Sequence, residues 1–316
     1  MLKVGLVGVG SISGKHIPAW QSMADAELVA LCSRSSEAME KYDGVRKYTD
    51  FDEMLRCEQL DILDICLPTF LHAEYAIKAM ERGIHVVCEK PISLRKEDVS
   101  RIYGAAKSNN VKFMVAQVLR FWPEYEYIQE LYRNGTYGKL LSGNMTRLNQ
   151  FPYRSGRHWM ADAQLSGLAP YDLHIHDLDF MVSTFGAPTG FTFRRTRQPD
   201  QDQLAVLYDY EGFSISAETG WYAAPCPFRA SFRFQFENAL AVMENNTLLI
   251  YERNGRIFRP LEETGDLTAG IDLPKTSAYT RQLEYFADCV RNDRPVEKVQ
   301  PHELETVLDI DRKSVV

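Results

Sequence analysis

Short apolar runs, broken by glycine, proline and charge, open the chain. "KVGLVGVG", "AELVALCSR", "LDILDICLP", "HVVCEKP" and "KFMVAQ" suit strands buried on both faces. Helical patterns separate them. "AEYAIKAMERG" places Tyr75, Ala76, Ala79 and Met80 at helical spacing, with Gly83 as the stop. "KEDVSRIYGAAKSNN" repeats the pattern. This alternation predicts an α/β unit with a doubly wound parallel sheet.

The later part of the chain changes period. "LLSGNMTRLNQF", "GFTFRRT", "DQLAVLYDY", "FSISAETGW", "FRASFRFQFE", "ALAVMEN" and "TLLIYER" are alternating or β-rich runs between Gly, Asn and Pro turns. They predict a meander in one sheet. Phe232, Phe234 and Phe236 alternate with Ser231, Arg233 and Gln235, giving one apolar and one polar face. The helix "YTRQLEYFADCVRN" carries Leu283, Phe286 and Val290 on one side and is expected to pack back on the first domain.

The 316 residues suit two domains, at about 150 residues each. A net charge of −7 argues against nucleic acid or an anionic membrane as the main partner, since both require a cationic face. The six cysteines, Cys32, Cys57, Cys66, Cys88, Cys226 and Cys289, form no C-x-x-C pair. A reducing cytoplasm is therefore expected rather than a disulfide or zinc framework. The N-terminus shows no leader pattern, and no apolar run reaches the roughly 18 residues of a membrane span.

Gly8 and Gly10 in "GLVGVGSISGKH" follow the first strand and precede a helix. Gly8 permits a tight turn, and Gly10 lets the backbone approach a pyrophosphate at the helix N-terminus. Ser11 and Ile12 continue that turn, and Ser13 stands at the third fingerprint position. A carboxylate after the second strand would hold the ribose of NAD. "CSRSS" supplies Ser33 and Arg34 instead. A guanidinium suits a 2′-phosphate, so NADP is expected over NAD; the alternative is that Arg34 stacks on adenine or faces solvent.

Gly8-x-Gly10 with His16, "LPTFLHAEYAIKAMERGIHVVCEKP", "RFWP" and "DLHIHDLD" occur in this order. The ordered set resembles the Gfo/Idh/MocA oxidoreductases over nearly the whole chain. The resemblance implies a Rossmann domain, assigned here to 1–119, and a second α/β domain over 120–316 with a large, open, mostly antiparallel sheet. It also implies a homodimer or homotetramer built through that sheet.

By resemblance, Lys90, Asp172 and His176 match the family's catalytic positions. Lys90 follows the fourth strand, where ligands of open α/β sheets bind, and can stabilise alkoxide charge. Pro91 fixes the backbone after it. Asp172 and His176, four apart, share a helix face. An unperturbed imidazole titrates near about 6.5, suited to taking a hydroxyl proton. The resemblance places Leu67, Pro68, Thr69, His72, Glu89, Gln117 and Trp159 beside the dinucleotide. Arg120 either contacts substrate or forms an interdomain pair. His174 is expected to line the substrate pocket, and Asp177 and Asp179 to lie on the helix surface or cap it.

No metal is expected. A His174/His176 pair would suit a strand better than a helix, and no cysteine ligand is near. Relatives often carry arginine where Met160 stands; Arg157 is the candidate substitute. Gly167 is kept from the family's double glycine, but Leu168 follows it. The implied activity is NAD(P)-dependent hydride transfer on a sugar, polyol or sugar derivative. The alternatives are a glycoside hydrolase using NAD for transient oxidation, and a non-catalytic dinucleotide sensor.

Overall fold

The structure, a computed structural model, describes residues 1–153, 156–263 and 278–315. The chain divides into two compact units. One is Met1–Val118 with Ala278–Glu305; the other is Leu119–Ser277 with Thr306–Val316.

In the first unit six strands form one parallel sheet. They are β1 (Leu2–Val7), β2 (Ala26–Cys32), β3 (Arg46–Tyr48), β4 (Ile62–Ile65), β5 (His85–Glu89) and β6 (Phe113–Ala116). Their order is β3-β2-β1-β4-β5-β6. Helices α1 (Ser13–Ser22), α2 (Phe51–Cys57), α3 (His72–Met80) and α4 (Glu97–Ser108) supply connections. Val4, Leu6, Ile62, Leu63, Val86 and Val87 are fully buried. Coverage of both faces is why these strands read as unbroken apolar runs. The order reverses between β1 and β4, which puts a ligand crevice at their carboxyl ends.

In the second unit α5 (Pro123–Asn134) starts with proline at its first turn and stops at Gly135 in the left-handed region, both favoured boundary residues. β7 (Leu140–Gln150), α6 (Ala163–Ser166), a π turn (Pro170–His174) and α7 (Ile175–Phe185) follow. Then come β8 (Gly190–Gln198), β9 (Gln201–Tyr210), β10 (Phe213–Tyr222), β11 (Arg229–Phe236), β12 (Ala239–Glu244), β13 (Thr247–Glu252), β14 (Ile257–Phe258) and α8 (Pro260–Glu263). The eight strands lie in the order β14-β13-β12-β11-β7-β10-β9-β8. α9 (Ala278–Arg291) returns to the first unit and packs on α1, and α10 (Pro301–Val315) ends the described chain.

The sheet departs from a simple meander at one place. β7 sits between β11 and β10, antiparallel to the first and parallel to the second. A parallel neighbour needs a long crossover, and α6, the π turn, α7, β8 and β9 supply it.

Phe232, Phe234 and Phe236 are buried while Arg233 and Gln235 are exposed. Helices α5 and α7 cover the phenylalanine face: Tyr125 lies 5.0 Å from Phe180 and 5.1 Å from Phe232, edge to face. Phe234 stacks across Gly143, where a Cβ would come within 2.8 Å of the ring. The opposite face leaves Leu207 and Tyr251 exposed. Among the described residues no helix is long and apolar enough to cross a membrane.

Phe234→Ala removes a fully buried ring and leaves a cavity in its place. It should lower stability by roughly 3–5 kcal/mol, measured from the guanidinium unfolding midpoint at unchanged m-value.

Candidate functional site

In the first unit the turn after β1 is built around Gly8. Its φ of +97° is one that side-chain-bearing residues rarely adopt, and a Cβ there would lie 2.5 Å from the Cys66 carbonyl oxygen. β1 and the end of β4 can approach this closely only with glycine. Gly10 is the reverse case, with nothing within 4 Å of a Cβ, so its outer side is open. Ser13 donates its hydroxyl to the Gly10 carbonyl at 2.8 Å and ties the turn to α1. α1 has no side-chain cap and no acidic residue in its first turn. Its positive dipole end therefore fits a phosphate group. Gly10 and Ser11 are exposed and Ile12 half-buried; Ser33 is half-buried and Arg34 exposed after β2.

Behind this turn lies a buried charged cluster that the motif reading did not identify. His16, on α1, has Nδ1 2.8 Å from Asp64 Oδ2 and Nε2 3.0 Å from Glu89 Oε1. Trp20 Nε1 donates to the same Asp64 oxygen at 2.7 Å, and Cys66 Sγ donates to Oδ1 at 3.6 Å. His16 and Asp64 are fully buried and Glu89 nearly so. Burial by itself would push the imidazole down, but the Asp64 charge overcomes it and holds the group well above its ordinary value. His16, Asp64 and Cys66 also stand within 4.8 Å of one another, as metal ligands would. The Asp64 carboxylate is already engaged: the Trp20 indole N–H donates to Oδ2 and the Cys66 thiol to Oδ1, and a metal would have to compete with both protons for its lone pairs.

Two expected dinucleotide contacts turn out to be internal. His72 is 1% exposed; Nδ1 is 2.7 Å from the Pro91 carbonyl and Nε2 2.7 Å from the Leu67 carbonyl. Its polar atoms join the chain after β4 to the chain after β5. Glu89 is 6% exposed, and its second oxygen accepts from the Lys90 main-chain N–H at 3.1 Å. Lys90 itself is half-buried, ahead of a cis peptide bond to Pro91. Leu67 and Pro68 are half-buried, while Thr69 and Gln117 are buried.

In the second unit the candidate stretch does not begin as a regular helix. Pro170–His174 form a π turn that runs into α7. A π turn carries i→i+5 hydrogen bonds and is frequent at functional sites. Gly167, at φ +72°, leads into it, and a Cβ there would lie 2.4 Å from the Tyr171 ring. Leu168 follows at φ +65°, a left-handed conformation unusual for leucine. Its buried side chain packs with Phe151, Met160, Leu173 and Trp221, and Trp159 lies against the same cluster. The side chain of Arg157 lies outside the described residues.

From Ser166 to Val182 only Asp172 and His176 escape full burial. The other polar residues of the stretch correct three expectations. His174 is fully enclosed rather than pocket-lining, with Nε2 2.6 Å from the Tyr208 hydroxyl. Burial, and then the nearby Arg147 charge, bring its pKa down to about 3, so it stays neutral. Asp177 and Asp179 are buried ion-pair partners, not surface or capping groups. Arg147, on β7, donates to Asp177 Oδ1 from Nη2 at 2.7 Å and to the Tyr125 hydroxyl at 3.1 Å. Arg120 donates to Asp179 through Nε at 2.8 Å and Nη2 at 2.6 Å. Arg120 thus pairs within its own unit, and its guanidinium is engaged away from solvent. A readable signal existed: carboxylates inside the apolar run "DLDFMV" require buried partners.

Residues 2–117 match the family model described as an oxidoreductase family with an NAD-binding Rossmann fold. Residues 125–251 match the GFO/IDH/MocA C-terminal domain. Among curated proteins the chain is 30% identical over 230 residues to D-apiose dehydrogenase of Paraburkholderia graminis, covering 70% of this chain and 61% of that one. It is 27% identical to scyllo-inositol 2-dehydrogenase (NADP(+)) of Bacillus subtilis, covering 60% of each. The first curated relatives are spanned over only 51 to 61% of their length. A solved levoglucosan dehydrogenase, in complex with NADH and levoglucosan, has a TM-score of 0.86 at 20% identity, covering 99% of this chain and 96% of the other.

Asp177→Asn keeps the shape of its site but leaves the Arg147 guanidinium buried without a counter-ion. It should destabilise the second unit by roughly 3–5 kcal/mol, read from urea unfolding of the full chain.

Proposed function

The chain belongs to the Gfo/Idh/MocA oxidoreductase family, and from that premise we propose that it oxidises or reduces a secondary alcohol or ketone of a sugar, polyol or sugar derivative. A bound nicotinamide dinucleotide supplies the hydride acceptor or donor. His176 takes the hydroxyl proton in the oxidation direction and returns it in the reduction direction. Lys90 hydrogen-bonds the reacting oxygen and stabilises the charge that develops on it. Asp172 supports the orientation of His176.

One observation carries the reading. In a stretch where every neighbour is enclosed, Asp172 and His176 alone remain accessible. An acid–base group has to meet its substrate, and a buried, neutral His174 cannot take that role. The relatives named as D-apiose and scyllo-inositol dehydrogenases support the substrate class. The exposed sheet face with Leu207 and Tyr251 supports pairing of two copies into a homodimer or homotetramer.

NADP is the proposed dinucleotide, because the turn after β2 offers Arg34, exposed, and no carboxylate in "CSRSS". The test is a panel of sugars, polyols and inositols with each dinucleotide, read by the absorbance of reduced nicotinamide. The reading fails if none is turned over with either one.

His176→Ala should abolish most turnover while dinucleotide affinity stays within about twofold, because general-base removal costs roughly 10²–10⁴-fold. Arg34→Ala should reduce the preference for NADP over NAD by roughly tenfold or more, the worth of a hydrogen bond to a charged group. Equal use of both dinucleotides by the unaltered chain would defeat the NADP assignment.

A further inference from the structure

The buried cluster behind the glycine turn has no place in the chemistry described so far. Its geometry is unusual for a histidine. Each ring nitrogen faces a different carboxylate, Asp64 from β4 on one side and Glu89 from β5 on the other. A neutral imidazole has one N–H and one lone pair. Either neutral tautomer would set a lone pair against a carboxylate oxygen at hydrogen-bond distance. Only the doubly protonated ring donates to both.

Glu89 is the next link. Its Oε1 meets His16 and its Oε2 accepts the Lys90 main-chain N–H. The side chain that holds the amide of Lys90 is thus itself held by His16. Two further groups fix the ring from other directions. Trp20 donates to Asp64 from the same helix, and the Tyr279 ring of α9 lies 5.9 Å away. Among the described residues the titratable groups facing the ring are therefore Asp64 and Cys66 at the end of β4, Cys88 and Glu89 on β5, and Tyr279 on α9.

We propose that His16 is a positioning residue: as a buried imidazolium it clamps Glu89 to Asp64 and so sets the main chain that presents Lys90. The inference rests on the reading of Lys90 as the group that holds the substrate oxygen. It makes α1 a shared support, since one helix offers its N-terminus beside the glycine turn and His16 to the Lys90 turn. The Asp64 charge holds the imidazole above its ordinary value despite burial. A raised folded-state pKa contributes stability that is complete below the unfolded value of about 6.5 and is lost as pH rises through the folded value. The clamp therefore loosens on the alkaline side.

The test uses the full chain with isotope-labelled histidine. In the unaltered protein the His16 ring nitrogens should both carry protons at neutral pH and above. Glu89→Gln removes one of the two charges but keeps an acceptor, so the His16 titration should move down by roughly one unit or more. His16→Gln should speed hydrogen exchange at the Lys90 amide at least roughly tenfold while the amides of β1 keep their protection. On any compound of the panel that the unaltered chain oxidises, His16→Gln should lower kcat by roughly 10- to 100-fold and leave the KM for dinucleotide within about twofold. A neutral His16 ring at pH 7, or a titration that Glu89→Gln does not move, overturns the clamp. Loss of dinucleotide affinity equal to the loss in kcat overturns it as well, because that is collapse of the cradle. If no compound of the panel is oxidised, the oxidoreductase reading fails, and the ring signals still decide the clamp.

Discussion

An ion taken out of water has to meet a counter-ion, and that constraint organises both halves of this chain. In the first unit His16 lies between two carboxylates, behind the glycine turn. In the second, Arg147 meets Asp177 and Arg120 meets Asp179, with every side chain at most 5% exposed. Such pairs contribute little net stability over apolar groups of the same shape, although breaking one is costly. What they impose is geometry. Both charges must stay in register, and so must the elements that carry them. The elements held in this way bear the residues proposed for chemistry: β5 leads to Lys90, and α7 contains His176.

The two pairs in the second unit act on α7 from different sides. Asp177 and Asp179 are two residues apart, which separates them by about 200° around a helix. One pair alone would leave the helix able to roll about the contact. Two pairs on nearly opposite sides, one to β7 and one to the Val118–Phe121 turn, remove that freedom. His176 lies next to Asp177 on the side left open. In a regular helix Asp172 would be offset from it by about 40°. The wider π turn before α7 adjusts that offset, and both side chains remain accessible.

Much of the architecture could be read from apolar period alone. Strands buried on both faces appear as runs such as "LDILDI", and half-buried ones as the alternation of Phe232, Phe234 and Phe236. The insertion of β7 between β11 and β10 could not, because strand order depends on long-range pairing that leaves no local period. The candidate pair Asp172 and His176 was legible by family pattern and spacing. That Asp177 and Asp179 need buried partners could be read from the apolar run around them; which partners could not, since Arg147, Arg120 and, for His174, Tyr208 lie far off in sequence. His72 and Glu89 show the same limit. The family resemblance set them beside the dinucleotide, yet their polar atoms face Leu67, Pro91, His16 and the Lys90 amide. Position along a chain tells which residues are near a site; burial tells which way their polar atoms point.

Leu168 bears on how the π turn is held. A leucine in the left-handed region, at φ +65°, costs about 1–2 kcal/mol relative to an ordinary conformation. Glycine would avoid that cost. Yet the leucine side chain is 3% exposed and packs with Phe151, Met160 and Trp221, and burying it is worth about 1.5–3 kcal/mol. The two terms offset to within about a kcal/mol, so stability alone gives little reason to prefer either residue. What differs is where the turn is fixed. With glycine the backbone before Pro170 would be free to sample several conformations. With leucine it is tied to the same apolar cluster that Trp159 lies against. The approach to Asp172 is therefore set by packing within the second unit.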